Sequence, residues 1–263
     1  MIWIDKNLNN EPEEFKLWKK NKLSENWFNE KKPSEWWQEI NKETKVKKAL
    51  QSALLEEQGH ICCYCCRKIT NDQAIIELQN KDEQNRILQI SVEHYQEKVN
   101  PNYMKKMFDY DNLLASCKSS SYCNEFRGKQ KIQDLTLNPT KLESMDQIEV
   151  LYEFDKSKDK KNLVKLTSKN ELIQHDLDHV LNLNNIDLAQ KRKILVVKIQ
   201  NDYAEKIKLY ANFARDISEN EYMDFTKQEL EEKYLQKKHE GNTKKYPSSF
   251  PFVAKMVLEN LFE

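Results

Sequence analysis

The stretch HICCYCCR, residues 60–67, holds four of the chain's six cysteines around a single tyrosine. Two residues separate Cys62 from Cys65, and two separate Cys63 from Cys66. Either pair has the C-x-x-C spacing that lets two thiolates of one tight turn reach a single tetrahedral zinc. The other two cysteines, Cys117 and Cys123, lie further on, separated by a looser insertion that includes Ser119, Ser120 and Ser121. The expectation is a closed, structural four-sulfur site of Cys62, Cys65, Cys117 and Cys123, with the register between the two interleaved pairs left open. Two other readings compete with it. Buried thiols also serve as small hydrophobes, and a thioredoxin-like pair needs its C-x-x-C at the entry to a helix of a βαβ unit, a pattern that does not surround this one.

The rest of the chain explains why a metal is preferred to disulfides. Its 263 residues carry 43 Lys+Arg against 43 Asp+Glu, with 38% hydrophobic and 33% charged residues. That balance excludes an acidic disordered chain and a globally basic nucleic-acid binder. A chain of this length buries roughly 70–75% of the surface its unfolded state exposes, so a core forms without covalent staples. No apolar run approaches the ~20 residues of a membrane span, and the opening MIWIDKNLNNEPEEF lacks the order of a secretory signal. A cytoplasmic protein is therefore expected, and in that compartment clustered thiols stay reduced.

Only three glycines occur, and long stretches rich in Lys, Glu, Gln and Leu carry apolar residues three and four apart, so most of the chain should be helical. Helices are predicted over 13–30, from Pro33 onward with Trp36, Trp37 and Ile40 buried, and over 45–58, stopped by Gly59. Residues 87–95 (ILQISVEHY) and Leu113 to Ala115 read as strands. A short helix follows Cys123, residues 148–155 and 162–168 suggest a hairpin, and 171–263 reads as helix upon helix. The tryptophans Trp18, Trp27, Trp36 and Trp37 and the stretch FPFVAKMVLENLF at 250–262 read as core packing, with a docking surface as the alternative. His175 and His179 stand four apart like a metalloprotease pair, but Asp176 follows the first and no third ligand is evident.

Between and around the cysteine pairs run VEHYQEK (92–98), YDNLLASC (110–117) and CNEFRGK (123–129). Here the sequence resembles an HNH endonuclease: an acid-His pair at the end of one strand, Asn-Leu before the second, and Cys-Asn opening the helix. With EQGHICCYC before them, and LTLNPT (135–140) and DHVLNLNNIDLAQKR (178–192) after, the order of motifs is similar to the PtuB family of Septu and retron-associated antiphage systems. The resemblance runs from about residue 45 to about residue 195.

It implies a mainly α fold with a small zinc-containing ββα-metal (HNH) finger between helical flanks. The expected parts are an N-terminal helical region at 1–58, the nuclease core at 59–131 and a mostly helical C-terminal region at 132–263. It implies phosphodiester hydrolysis of DNA, with RNA as the second choice, beside a PtuA-like ATPase, and a retron reverse transcriptase with its DNA as a further partner where the system is retron-borne. By resemblance His94 is the base that deprotonates water, a role suited to its near-neutral pKa, and Asn112 orients it. Glu93 and Asn124 would hold the catalytic cation. Histidine often fills the Asn124 slot, and an amide oxygen there favours Mg2+ or Mn2+.

From Lys98 to Lys131 seven basic residues face three acids, a local surplus that suits a phosphate-facing surface. Arg127, Lys129 and Lys131 are the expected backbone contacts. A function of a different class, a non-catalytic zinc-stapled module that binds nucleic acid or regulates the ATPase, is the alternative.

Overall fold

The computed structural model describes residues 2–23, 33–78, 86–96, 104–130, 134–152, 163–213, 218–236, 238–240, 243–246 and 249–262. The chain is mainly helical, with a small sheet at the cysteines. It opens with α1 (Glu13–Lys22), α2 (Pro33–Lys42) and α3 (Thr44–Glu57). In α1, Glu13 and Glu14 occupy the first turn and Lys19, Lys20 and Lys22 the last, which complements the helix dipole. Phe15 and Trp18, three apart, form its buried stripe. The predicted helix over 13–30 matches α1 through Lys22, and its remainder, with Trp27, lies mostly outside the described residues. Trp36 and Ile40 are buried as expected, while Trp37 is half-buried.

Helix α3 buries Leu50, Leu54 and Leu55 and stops where the sequence predicts. Gly59 and His60 both take positive φ, 64° and 60°, and reverse the chain into the cysteine turn. Strand β1 (Ile69–Thr70) pairs in parallel with β2 (Leu88–His94), which pairs antiparallel with β3 (Leu113–Cys117) in the register Ile90 to Cys117 and His94 to Leu113. Every residue of β3 is buried, as its apolar sequence requires. Helix α4 (Gln73–Leu78) lies between β1 and β2 in the chain, and α5 (Cys123–Arg127) follows β3. The elements β2, β3 and α5 succeed one another as strand, strand, helix.

Beyond the finger come α6 (Leu142–Met145), the expected hairpin β4 (Glu149–Tyr152) with β5 (Val164–Thr167), and α7 (Glu171–His175) running into a π-helical turn at Asp176–Val180. Helices α8 (Ile186–Phe213), α9 (Glu219–Tyr234) and α10 (Pro251–Phe262) complete the chain. Between α9 and α10 a hairpin, β6 (Lys238–Glu240) with β7 (Thr243–Lys245), interrupts the expected run of helices. The sequences KHE and TKK carry no apolar–polar alternation to announce a strand.

The expected boundaries at 58 and 131 do not separate the buried residues into distinct cores. Buried residues from Ile4 to Leu258 form one cluster. Backbone hydrogen bonds tie both flanks to the finger: Tyr246 N donates to Gly59 O at 3.1 Å, Phe250 N to Cys66 O at 2.9 Å and Cys123 N to Leu181 O at 2.8 Å. In α10, Val253, Ala254, Val257 and Leu258 are buried, so the C-terminal apolar run is core. Among the described residues no helix is long and apolar enough to cross a membrane.

Candidate functional site

The cysteine turn is built by its backbone. Cys62 N donates to Arg67 O at 2.9 Å and Cys66 N to Cys62 O at 3.0 Å. Cys66 closes the turn with φ 58°, a left-handed conformation in which a side chain is uncommon. The turn is fastened to β3 from the side: Gln58 accepts from Ala115 N at 2.7 Å and donates to Ala115 O at 2.8 Å, and Cys63 N donates to the same carbonyl at 2.9 Å. One glutamine amide thus pairs with the edge of β3 as another strand would.

This arrangement resolves the cysteine register. The sulfurs of Cys62, Cys65, Cys117 and Cys123 lie within 4.8 Å of one another and are all buried. Cys62 Sγ is 3.8 Å from Cys123 Sγ, and Cys65 Sγ is 3.7 Å from Cys117 Sγ. A tetrahedron with Zn–S bonds of about 2.3 Å has S···S edges of about 3.8 Å, so the group is compatible with one zinc. Cys117 N donates to Cys62 Sγ at 3.3 Å. Burial acts against a Cys62 thiolate, but bonds from the neighbouring thiols, Cys117 and Cys123 first, hold it well below the usual thiol range. Cys63 and Cys66 stand outside the group and line a small cavity with Ile2 and Ile4. Burial pushes the Cys66 thiol up to about 12 and that of Cys63 well above its ordinary value, which suits two neutral space-fillers.

Four thiolates on one Zn2+ leave a net charge of −2 in a buried place, which needs cations nearby. Two arginines meet that need, and neither has a carboxylate partner among the described residues. Arg192 of α8 is fully buried, with only a 3.5 Å bond from Nη1 to Val164 O and no partner at Nε or Nη2. Burial lowers its pKa to about 10, and the sulfurs of Cys65, Cys66 and Cys123 oppose that fall. Arg67 donates to the Tyr122 hydroxyl at 2.6 Å and to Arg86 O at 2.9 Å. A buried guanidinium without a carboxylate, electrostatically coupled to the sulfurs of Cys65 and Cys123, fits a tetrathiolate metal centre.

At the far end of β2 stand Glu93 and His94, on opposite faces of the strand. Glu93 is 2% exposed, and its Oε1 accepts from Arg127 Nη1 at 2.7 Å and from the Tyr64 hydroxyl at 2.8 Å. Arg127 is 3% exposed and also donates to His94 O and Tyr95 O. This corrects the expectation that Arg127 contacts a nucleic-acid backbone, since its guanidinium is spent inside the finger. His94, 6% exposed, packs its ring edge-on to Trp37 with centroids 4.3 Å apart.

The Asn112 amide is engaged with the loop after β2: Oδ1 accepts from Gln96 N at 2.7 Å, and Nδ2 donates to Gln96 O and Lys106 O. These bonds fix the backbone of the loop that follows His94. Asn124 donates to Ser91 Oγ and Val92 O, each at 3.3 Å. Glu93 and Asn124 thus face the same side of β2 but are not presented together as an open cation site. The Glu93 carboxylate is desolvated and neutralised by Arg127, and the residues as they stand do not fit the expected Mg2+ or Mn2+.

Of the expected backbone contacts, Lys129 is exposed with its Nζ on Ser120 O, and Lys131 lies outside the described residues. His175 and His179 are exposed with ring centroids 5.2 Å apart, and no third ligand joins them among the described residues. Sequence reasoning missed Tyr64 and Arg192. Tyr64 was overshadowed by the cysteines around it, and Arg192 is one basic residue of a lysine-rich helix. No protein-family model matches the chain, and a comparison with curated proteins finds no match.

Proposed function

We propose that the chain is a zinc-stapled HNH endonuclease that hydrolyses nucleic-acid phosphodiester bonds as the effector of a two-component antiphage system with a PtuA-like ATPase. The observation that carries this reading is the succession β2, β3, α5 with the Glu93-His94 pair at the end of β2, Asn112 clamping the loop between the strands and two zinc-compatible cysteines bracketing the turn into α5. Zinc on the four sulfurs supplies rigidity and no chemistry, because a closed tetrathiolate site has no open position. His94 takes the proton from the attacking water, a contribution of typically 10²- to 10⁴-fold. Asn112 and Arg127 hold the backbone around it.

The reading is tested by cleavage of DNA and RNA substrates with added Mg2+ or Mn2+, in the presence of the ATPase. His94→Ala should abolish cleavage while leaving zinc content and fold intact, and cleavage that survives the substitution refutes the assignment of the base.

One observation favours a second reading, a non-catalytic zinc-stapled module that binds nucleic acid or regulates the ATPase. Glu93 is buried in an ion pair with Arg127, and a cation at Glu93 requires that pair to open. Nucleic-acid binding without cleavage under any metal supports this module over the nuclease.

A further inference from the structure

An open groove of about 280 Å3 runs beside β2, floored by Ile90, Ser91 and Val92 and reaching Asn124 at the start of α5. Three pairs of side chains line it besides that floor. Helix α2 contributes Trp37 and Asn41, and α3 contributes Lys47 and Gln51; both pairs are four apart and so share a helix face. The ends of β2 and β3 contribute Gln89 and Lys118, held side by side by the bond from Lys118 N to Gln89 O at 2.8 Å.

Trp37 packs on the rings of His94 and Phe108, whereas the polar side chains of the lining are less engaged. Among the described residues neither Lys47 nor Lys118 has a carboxylate partner, and the side-chain amides of Asn41, Gln51 and Gln89 make no hydrogen bond. Glu125 is the single carboxylate in the lining. Two lysines facing one groove beside a single carboxylate give it a positive balance that suits an anionic ligand.

We infer that this groove seats a single-stranded nucleic-acid segment, with Lys47 and Lys118 on phosphates and Trp37 and the amides on a base. The inference rests on the nucleic-acid reading above and names the strand form and the residues that hold it. Size argues for a single strand: about 280 Å3 lies at the low end of ligand clefts, about 300–1,000 Å3, room for one nucleotide and not a duplex. An aromatic ring with lysines on two sides is the recurring composition of single-strand sites. Trp37 also touches the His94 ring, so a strand seated here lies against the residue expected to act on it.

The test is binding of a fluorescein-labelled oligothymidylate by the full chain without added divalent metal, read by anisotropy across a salt series, with a duplex of equal length alongside. The wild type should prefer the single strand. Lys47→Glu with Lys118→Glu should weaken binding at least ~10-fold and reduce the salt slope by about 1.4, roughly 0.7 for each phosphate no longer neutralised. Lys227→Glu, an exposed lysine of α9 outside the groove, should change neither. Unchanged affinity and slope in the double variant, a preference for duplex, or no binding by the wild type overturns the inference. Groove-dependent binding without cleavage refutes the nuclease and leaves the groove standing. Cleavage with binding indifferent to the two lysines does the reverse.

Discussion

Glu93 and Arg127, the last acid of β2 and the last residue of α5, form an ion pair at 2.7 Å with both side chains almost wholly buried. The pair couples strand to helix across the finger, and Tyr64, in the middle of the cysteine turn, donates to the same carboxylate oxygen. Metal turn, strand and helix therefore meet at one oxygen atom.

Breaking that pair from one side leaves a buried charge. Arg127→Met should destabilise the fold by about 3–5 kcal/mol, and Glu93→Gln by a similar amount, whereas the double substitution should recover most of the loss. Denaturant unfolding of the two single variants and the double closes the cycle. Additive losses would show that the pair is not coupled.

The cysteine register predicts opposite outcomes for neighbouring residues. Cys62→Ser and Cys123→Ser should lose the metal and unfold the finger. Cys66→Gly should keep one zinc per chain, because glycine adopts the φ of 58° at this position without penalty. Cys63→Ser should also keep it. Metal analysis of the purified variants distinguishes this register from the other.

Arg192 is buried without a carboxylate partner among the described residues and would offset the charge of a tetrathiolate zinc, so Arg192→Met should weaken zinc retention by about 10- to 100-fold, the usual scale for groups that support metal ligands. Competition with a chromogenic chelator measures the change. Equal retention in variant and wild type would mean that Arg67 and the surrounding dipoles suffice.

Acidification should release the metal, because the thiolates must be deprotonated to bind it. The sign follows from the binding reaction itself: each thiol gives up its proton to hold zinc, so binding is favoured as pH rises and lost as protons compete at low pH. A zinc-sensitive dye followed during a downward pH titration should report release together with loss of finger structure. Retention of zinc by an acid-unfolded chain would contradict the coupling.

What the sequence revealed follows from the range of the forces involved. Helix α3 was legible because Leu50 and Leu54 repeat at helical spacing and Gly59 ends the run, and β2 because residues 87–95 favour extension. The hairpin of β4 and β5 was legible in the same way. Strand β1 was not, since two residues carry no period and a parallel partner is fixed by the sheet. The hairpin of β6 and β7 escaped because its residues are strongly polar. At the site, the cysteine pairs announced themselves by spacing, but the role of Arg127 depended on Glu93, distant in sequence and brought close only by the fold. The groove needed helices and strands from separate parts of the chain to be assembled before its side chains shared a space.

All that is proposed for His94 and the groove depends on four sulfurs holding one metal. X-ray absorption on the purified full chain, combined with metal quantitation, measures this directly. One zinc per chain with four sulfur neighbours at about 2.3 Å is the predicted result. A folded, metal-free chain, or a zinc shell containing nitrogen or oxygen, would contradict it.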